Sequence, residues 1–188
     1  MIPLYWSLTW NGLQADSATR TITAAWAVFT VPRALGKTGE VAYWLGVGGQ
    51  GRDRRDLCQA GISVGAGNAD GLIAEDWPTP PKGGVPVQPG NTIRVQLAPQ
   101  DQHRWWRITA TDTTTHVSLS VGCRVPVGGG WNTVEVIGEE GATPLRTTPV
   151  VVHWGVTGLT RPRWMHWMVP IPFYSVRKTG PDTLRLVA

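Results

Sequence analysis

Two short stretches of this sequence set proton-transferring and hydrogen-bonding side chains on the outward faces of strands. In LCQAGISV, residues 57–64, a period of two groups Cys58, Ala60, Ile62 and Val64 on one face. Gln59 projects the other way, with Leu57, Gly61 and Ser63. In residues 133–139 the same rule turns Val134, Val136 and Gly138 inward and Glu135, Ile137 and Glu139 outward. The apolar sets are core faces, so a carboxylate pair and an amide stand outside. A carboxylate can take a proton from water and later return it to a leaving group. A neutral amide can donate a hydrogen bond to a developing oxyanion without adding charge.

Other chemistries have weaker footing. His103, His116, His153 and His166 lack ligand spacing and no CxxC occurs, so no metal and no cofactor is expected. Ser7, Ser63, Ser118 and Ser120 could each be paired on paper with a His, but no G-x-S-x-G elbow is present. Cys58 and Cys123 could pair or stay reduced. Both alternate with apolar neighbours, and buried free thiols are the expected state.

The elements that must position these groups read as strands almost throughout. Helix periodicity is nearly absent, while period-two and β-branched runs recur along the chain. The expected strands are 5–13, 21–31, 41–48, 57–64, 71–76, 92–98, 104–111, 116–124, 133–139, 149–157, 166–175 and 183–187. Gly, Pro and Asp punctuate nearly every gap, and the 23 Gly and 15 Pro fit short strands with tight turns. This pattern predicts an all-β protein, an antiparallel β-sandwich of two stacked, curved sheets in the manner of a concanavalin-like jelly roll. Its 188 residues are expected to form one domain, 1–188.

Composition narrows the partners. The net charge of +4 is not gathered into a block. RDRRD (52–56) reads as a solvated loop, and HRWWR (103–107) as a strand with Arg flanks and one buried Trp, so nucleic acid is not the expected partner. No apolar run approaches the roughly 18 residues of a membrane span. Eleven Trp imply ligand-facing aromatic surface as well as core. The segment RPRWMHWMVPIPFYSV (161–176) reads as an ordinary strand, with a docking surface as the other reading. No signal peptide is visible in the opening MIPLYWSLTWNGLQ.

The order of the pieces carries a further reading. Trp10-Asn11-Gly12, TITAAWAVFTVP (21–32), AYWLGVGG (42–49), LCQAGISV (57–64), AEDWP (74–78) and EVIGEEG (135–141) follow one another as the motifs of the glutamic peptidases, the eqolisins, do. Residues 6–155 resemble that family, and the gap from Gln59 to Glu75 is the family's own. The departures are Gly48 where the family motif has Asp, Ile73 where it has an aromatic residue, Val136 where it has Trp, and Asp70 as the nearest carboxylate to one expected before Glu75.

The resemblance implies an endopeptidase hydrolysing polypeptides with Gln59 and Glu139 as a catalytic dyad facing one cleft. Trp10 and Trp44 would wall the cleft, with Glu75 and Glu135 in the substrate-binding surface. Cleavage would rise towards the carboxylate range near pH ~4–5, and the family's members are extracellular. The alternative is a non-catalytic β-sandwich that keeps the fold, either a lectin-like module or a component of a virion or surface assembly. A homo-oligomer or larger assembly is left open under either.

Overall fold

The structure, a computed structural model, describes residues 4–6, 10–19, 22–48, 56–65, 70–100, 105–124, 131–159, 161–168, 175–178 and 183–187. Its strands are β1 (Leu4–Trp6), β2 (Trp10–Asp16), β3 (Ala24–Thr30), β4 (Glu40–Gly48), β5 (Leu57–Gly65), β6 (Gly71–Trp77), β7 (Lys82–Pro86) and β8 (Thr92–Pro99). They continue with β9 (Trp105–Asp112), β10 (Val117–Arg124), β11 (Thr133–Glu140), β12 (Val150–Thr157), β13 (Arg163–Met168), β14 (Ser175–Lys178) and β15 (Thr183–Val187). No helix occurs among the described residues.

Two sheets result. One has eight strands in the order β1-β13-β2-β11-β4-β5-β6-β7, the other seven in the order β10-β9-β8-β3-β12-β15-β14. Among the described strands each strand-to-strand pairing is antiparallel except that of β1 with β13. The sheets stack as the apolar alternation requires. Val41, Tyr43, Leu45 and Val47 of β4 and Cys58, Ala60, Ile62 and Val64 of β5 are buried, as are Ile93, Val95 and Leu97 of β8. Val134 and Val136 lie in the same core cluster. One layer of side chains per sheet thus forms the core, which fixes the parity of each strand: a slip of one residue would expose its whole apolar set.

Two expected strands form differently, and one strand forms that was not expected. The run 5–13 is β1 and β2, and β2 continues to Asp16 because Gln14 and Asp16 alternate with the buried Leu13 and Ala15. The run 166–175 is divided between β13, which pairs with β2, and β14, which pairs with β15 in the other sheet. Pro170 and Pro172 stand between them in sequence, and proline has no N–H for a ladder. Strand β7, KGGVP, was not expected, because its glycines and proline read as a turn. It is an edge strand whose register shifts between Leu72 and Ala74 of its partner, where such residues are tolerated.

The cysteines also correct the expectation. Cys58 and Cys123 form a disulfide, joining β5 of one sheet to β10 of the other across 65 residues of chain. Both side chains are buried, as expected, but the two strands meet face to face through the core. Closing a loop of that length stabilises the fold by about 4 kcal/mol on the chain-entropy account. It also staples to the second sheet the strand that carries Gln59, the next residue along.

Candidate active site

Strand register turns the outward residues of the eight-stranded sheet into rows. Gln14 pairs with Glu135, Glu135 with Gly46, Gly46 with Gln59, and Gln59 with Glu75. Paired residues point to one side, so this row crosses five strands on the face away from the core. The next row runs Gly12, Ile137, Trp44, Gly61 and Ile73, and the one beyond it Trp10, Glu139, Ala42, Ser63 and Gly71. All six sequence-predicted residues therefore share one face: Trp10, Trp44, Gln59, Glu75, Glu135 and Glu139.

Glu139 is gripped by two indoles. Trp10 Nε1 donates to its Oε1 and Trp44 Nε1 to its Oε2, each at 3.0 Å. The two rings meet edge to face, with centroids 5.3 Å apart at 79°. Burial pushes the Glu139 carboxyl above its ordinary value of 4.5; the two indole N–H groups pull against this, and the nearby charge of Glu75 adds to it. Gln59 is braced from the other side, its Nε2 donating to Glu75 Oε2 at 2.5 Å. Its Oε1 is buried and accepts no hydrogen bond. Glu75 thus holds Gln59 directly and acts on Glu139 through space.

Glu135, four residues before Glu139, is in register with Gln59 across Gly46. It has no exposed surface, and Gln14 beside it is equally buried. Glu135 therefore lies beneath the surface of this face rather than on it. Gln14 escaped the sequence reading, although continuing the alternation Trp10, Gly12, Gln14 past residue 13 would have reached it.

Gly46 has no side chain for a geometric reason. A Cβ there would lie 2.8 Å from the Trp44 ring and 3.3 Å from the Gln59 Cβ. The Trp44 indole lies across this glycine, and only 2% of the residue is exposed. Gly46→Ala is expected to displace the indole, loosening Glu139 and crowding Gln59. Misplacement on the scale of an ångström can cost about a hundredfold in rate. The check is kcat/KM beside the near-ultraviolet circular dichroism of the tryptophans; full activity would mean that Trp44 does not need this seat.

Gly48, where the family motif has Asp, is closed to any side chain. Its φ is +84°, and a Cβ would meet the Asp56 carbonyl oxygen at 1.7 Å and the Trp131 ring at 2.8 Å. Thr133 Oγ1 binds the backbone N–H and carbonyl of Gly48 instead, both at 3.0 Å. At the other end of the site the face dips into a cavity of about 210 Å³ lined by Glu40, Ser63, Asp70 and Ile73 among others. There Ser63 Oγ donates to Glu40 Oε1. Burial raises the Asp70 carboxyl, against the Gly65 N–H that it accepts. Among the described residues no group of His, Cys, Asp and Glu could hold a metal ion.

Fold and site together define a β-sandwich with a tuned carboxylate and a braced amide on the outer face of one sheet. The sequence pattern of the Peptidase A4 family matches residues 8–151, and the chain belongs to that family. It is accordingly a peptidase of the glutamic type, with polypeptides as substrates. Among solved structures it is similar to scytalido-glutamic peptidase bound to a transition-state analogue inhibitor, with a TM-score of 0.78, 16% identity, and coverage of 96% of this chain and 98% of that one. It is likewise similar to SCP-B, a member of the eqolisin family in complex with the tripeptide Ala-Ile-His, with a TM-score of 0.73, 15% identity and the same coverage. No curated protein sequence matches at a significant level.

Proposed function

We propose that the chain is an acid-active endopeptidase in which Glu139 and Gln59 hydrolyse the peptide bond by direct attack of water. The ionised Glu139 takes a proton from the water as its oxygen bonds to the scissile carbonyl carbon. The oxyanion so formed accepts a hydrogen bond from Gln59 Nε2, whose second N–H is held by Glu75. Glu139, now protonated, delivers that proton to the amide nitrogen as the C–N bond breaks. The carboxylate is regenerated, and no covalent enzyme intermediate forms.

The observation that carries this reading is the pair of indole N–H groups on Glu139, one to each oxygen. They fix the carboxylate's plane and favour its ionised form, while burial opposes ionisation. Glu139 can therefore serve as base and acid in turn at acidic pH, its carboxyl held above the ordinary carboxylate value. Trp10, only partly buried, forms a wall against which an extended substrate lies, and Trp44 forms the floor, with Glu135 beneath the surface. The Cys58–Cys123 disulfide suits an oxidising, extracellular setting.

The test is digestion of an unfolded protein from pH 2 to pH 8, followed by kcat/KM on a peptide across the same range. Cleavage should fall on the acid side as Glu139 becomes protonated. Trp44→Phe keeps most of the ring but removes one donor that favours the carboxylate. Its Glu139 carboxyl should rise further, moving the acid limb to higher pH. A limb that stays in place would assign the base to another group. No cleavage at any pH by folded protein would favour the non-catalytic alternative.

A further inference from the structure

The outer face of the seven-stranded sheet carries a charge pattern that the peptidase chemistry does not use. Arg94, Arg107, Arg124 and Arg185 all point out of it and all are exposed. None of their neighbours in the ladder is acidic: Arg94 pairs with Val28 and Thr111, and Arg107 with Ala98 and Gly122. Arg124 pairs with Trp105, and Arg185 with Val151 on one side and Arg177 on the other. Asp112 is the one acidic residue in the described strands of this sheet, and it is fully buried. It accepts from Asn91 Nδ2 and from the Thr114 N–H at 2.8 Å, so it does not offset the arginines outside. The carboxylates Glu40, Glu75 and Glu139, which keep some exposure, lie on the other sheet. A modest net charge therefore conceals two faces of opposite character.

This basic face is also shaped. A shallow cavity of about 350 Å³ is lined by Arg94 and Arg107 with Gln96, Gln100, Thr109 and Thr111. Beside it Trp26, 38% exposed, pairs with Gln96 on one side and Gly155 on the other. A Cβ on Gly155 would lie 2.5 Å from the Trp26 Nε1 and 2.7 Å from its Cε2, so the indole lies over that glycine. One ring face rests on the sheet and the other is open to solvent.

We propose that this face is a docking surface for an acidic polysaccharide, a polymer of uronic acid type. Its carboxylates meet the guanidinium forks of Arg94 and Arg107, a geometry that guanidinium binds in bidentate fashion. The hydroxyls of its sugar rings meet the amides and hydroxyls of Gln96, Gln100, Thr109 and Thr111, and a ring packs on the open face of Trp26. Single-stranded nucleic acid fits less well, because it needs aromatic side chains close enough to stack successive bases. Among the described residues of this face the other exposed indole, Trp105, is two strands away and four residues along, roughly 16 Å from Trp26 on strand spacings alone. The outer faces of the two sheets point in opposite directions. Docking through this one leaves the Glu139 face open to polypeptide, so the enzyme would be held on an anionic matrix while it works.

The experiment measures binding of the whole protein to polygalacturonate, at a pH where uronates are ionised. Fully methyl-esterified polygalacturonate and a thirty-residue oligothymidylate serve as comparisons. The expected result is binding to polygalacturonate that weakens with salt, and at least about tenfold weaker binding to the esterified polymer. Arg94→Gln with Arg107→Gln should lose about tenfold or more in affinity, Trp26→Ala should also weaken it, and peptide hydrolysis should be unchanged in all. These side chains are exposed, so thermal midpoints should stay close to wild type; the single arginine variants repeat the measurement should the double variant not fold. Failure of the wild type to bind, or arginine variants that bind as well as wild type, would overturn the proposal. Tighter binding of oligothymidylate than of polygalacturonate would also overturn it, in favour of a nucleic-acid surface.

Discussion

Replacing Glu139 with Gln should abolish peptide hydrolysis, lowering kcat by about a thousandfold or more. The variant keeps the side chain's shape but can neither take the proton from water nor return it to the leaving nitrogen, and one group does both. It should not be a silent substitution for the fold. Both carboxylate oxygens accept from an indole N–H, and Gln offers one acceptor and one donor. One N–H, on the nearly inaccessible Trp44 or on Trp10, then faces an NH₂ group. A buried donor left without a partner costs about 1–3 kcal/mol. The size of this loss depends on pH, and its sign can be worked out. Burial raises the folded-state pKa of Glu139, so its contribution to wild-type stability is full below the unfolded value of 4.5 and is lost as pH rises through the folded value. Gln has no such loss. The variant should therefore fall furthest short of wild type in acid and come closer to it at neutral pH. Chemical denaturation at the two pH values checks this, beside a single-turnover assay. Appreciable turnover by the pure variant would remove Glu139 from the mechanism.

The faces of the strands were legible because the positions that face the core between the sheets are apolar or small. Cys58, Ala60, Ile62 and Val64 alternate without a break with Leu57, Gln59, Gly61 and Ser63, and such a strand has one way to face the core. The same holds for Val134 and Val136 against Glu135 and Glu139. What one strand cannot reveal is its register with the next. Only the ladders show that Glu135, not Glu139, lines up with Gln59, and that Trp44 occupies the row between. Motif order alone pointed to Glu139. Its physical distinction from Glu135, two indole donors against complete burial, exists only once β2, β4 and β11 lie side by side. The disulfide was hidden for a similar reason, since whether two buried cysteines meet depends on how the sheets stack. The charge separation was hidden too: the total of +4 sums over faces that never share a surface. Gly48 was visible as a departure from the family motif. Its cause, a left-handed backbone against Asp56, was not.

Replacing Gln59 with Ala should lower kcat by about a hundred- to a thousandfold, with little change in KM. The split follows from when the contact is made. Gln59 Nε2 already donates to Glu75, which orients the amide before substrate arrives and leaves its second N–H directed by the same geometry. That N–H gains most when the carbonyl oxygen becomes an oxyanion, so its loss is felt in the transition state more than in the bound substrate. The fold should tolerate the change, because Glu75 is only half-buried and can take a water in place of the lost donor. Two measurements separate this role from a structural one. If Gln59 merely bound substrate, KM would rise while kcat held. If it merely supported the sheet, the loss of activity would follow a loss of thermal stability. The double variant with Glu139→Gln gives the sharper test. Groups that act on one transition state are strongly non-additive, so the pair should be about as inactive as Glu139→Gln alone. A double variant slower by the full product of the two single losses would mean that Gln59 and Glu139 serve separate steps, and the dyad would have to be abandoned.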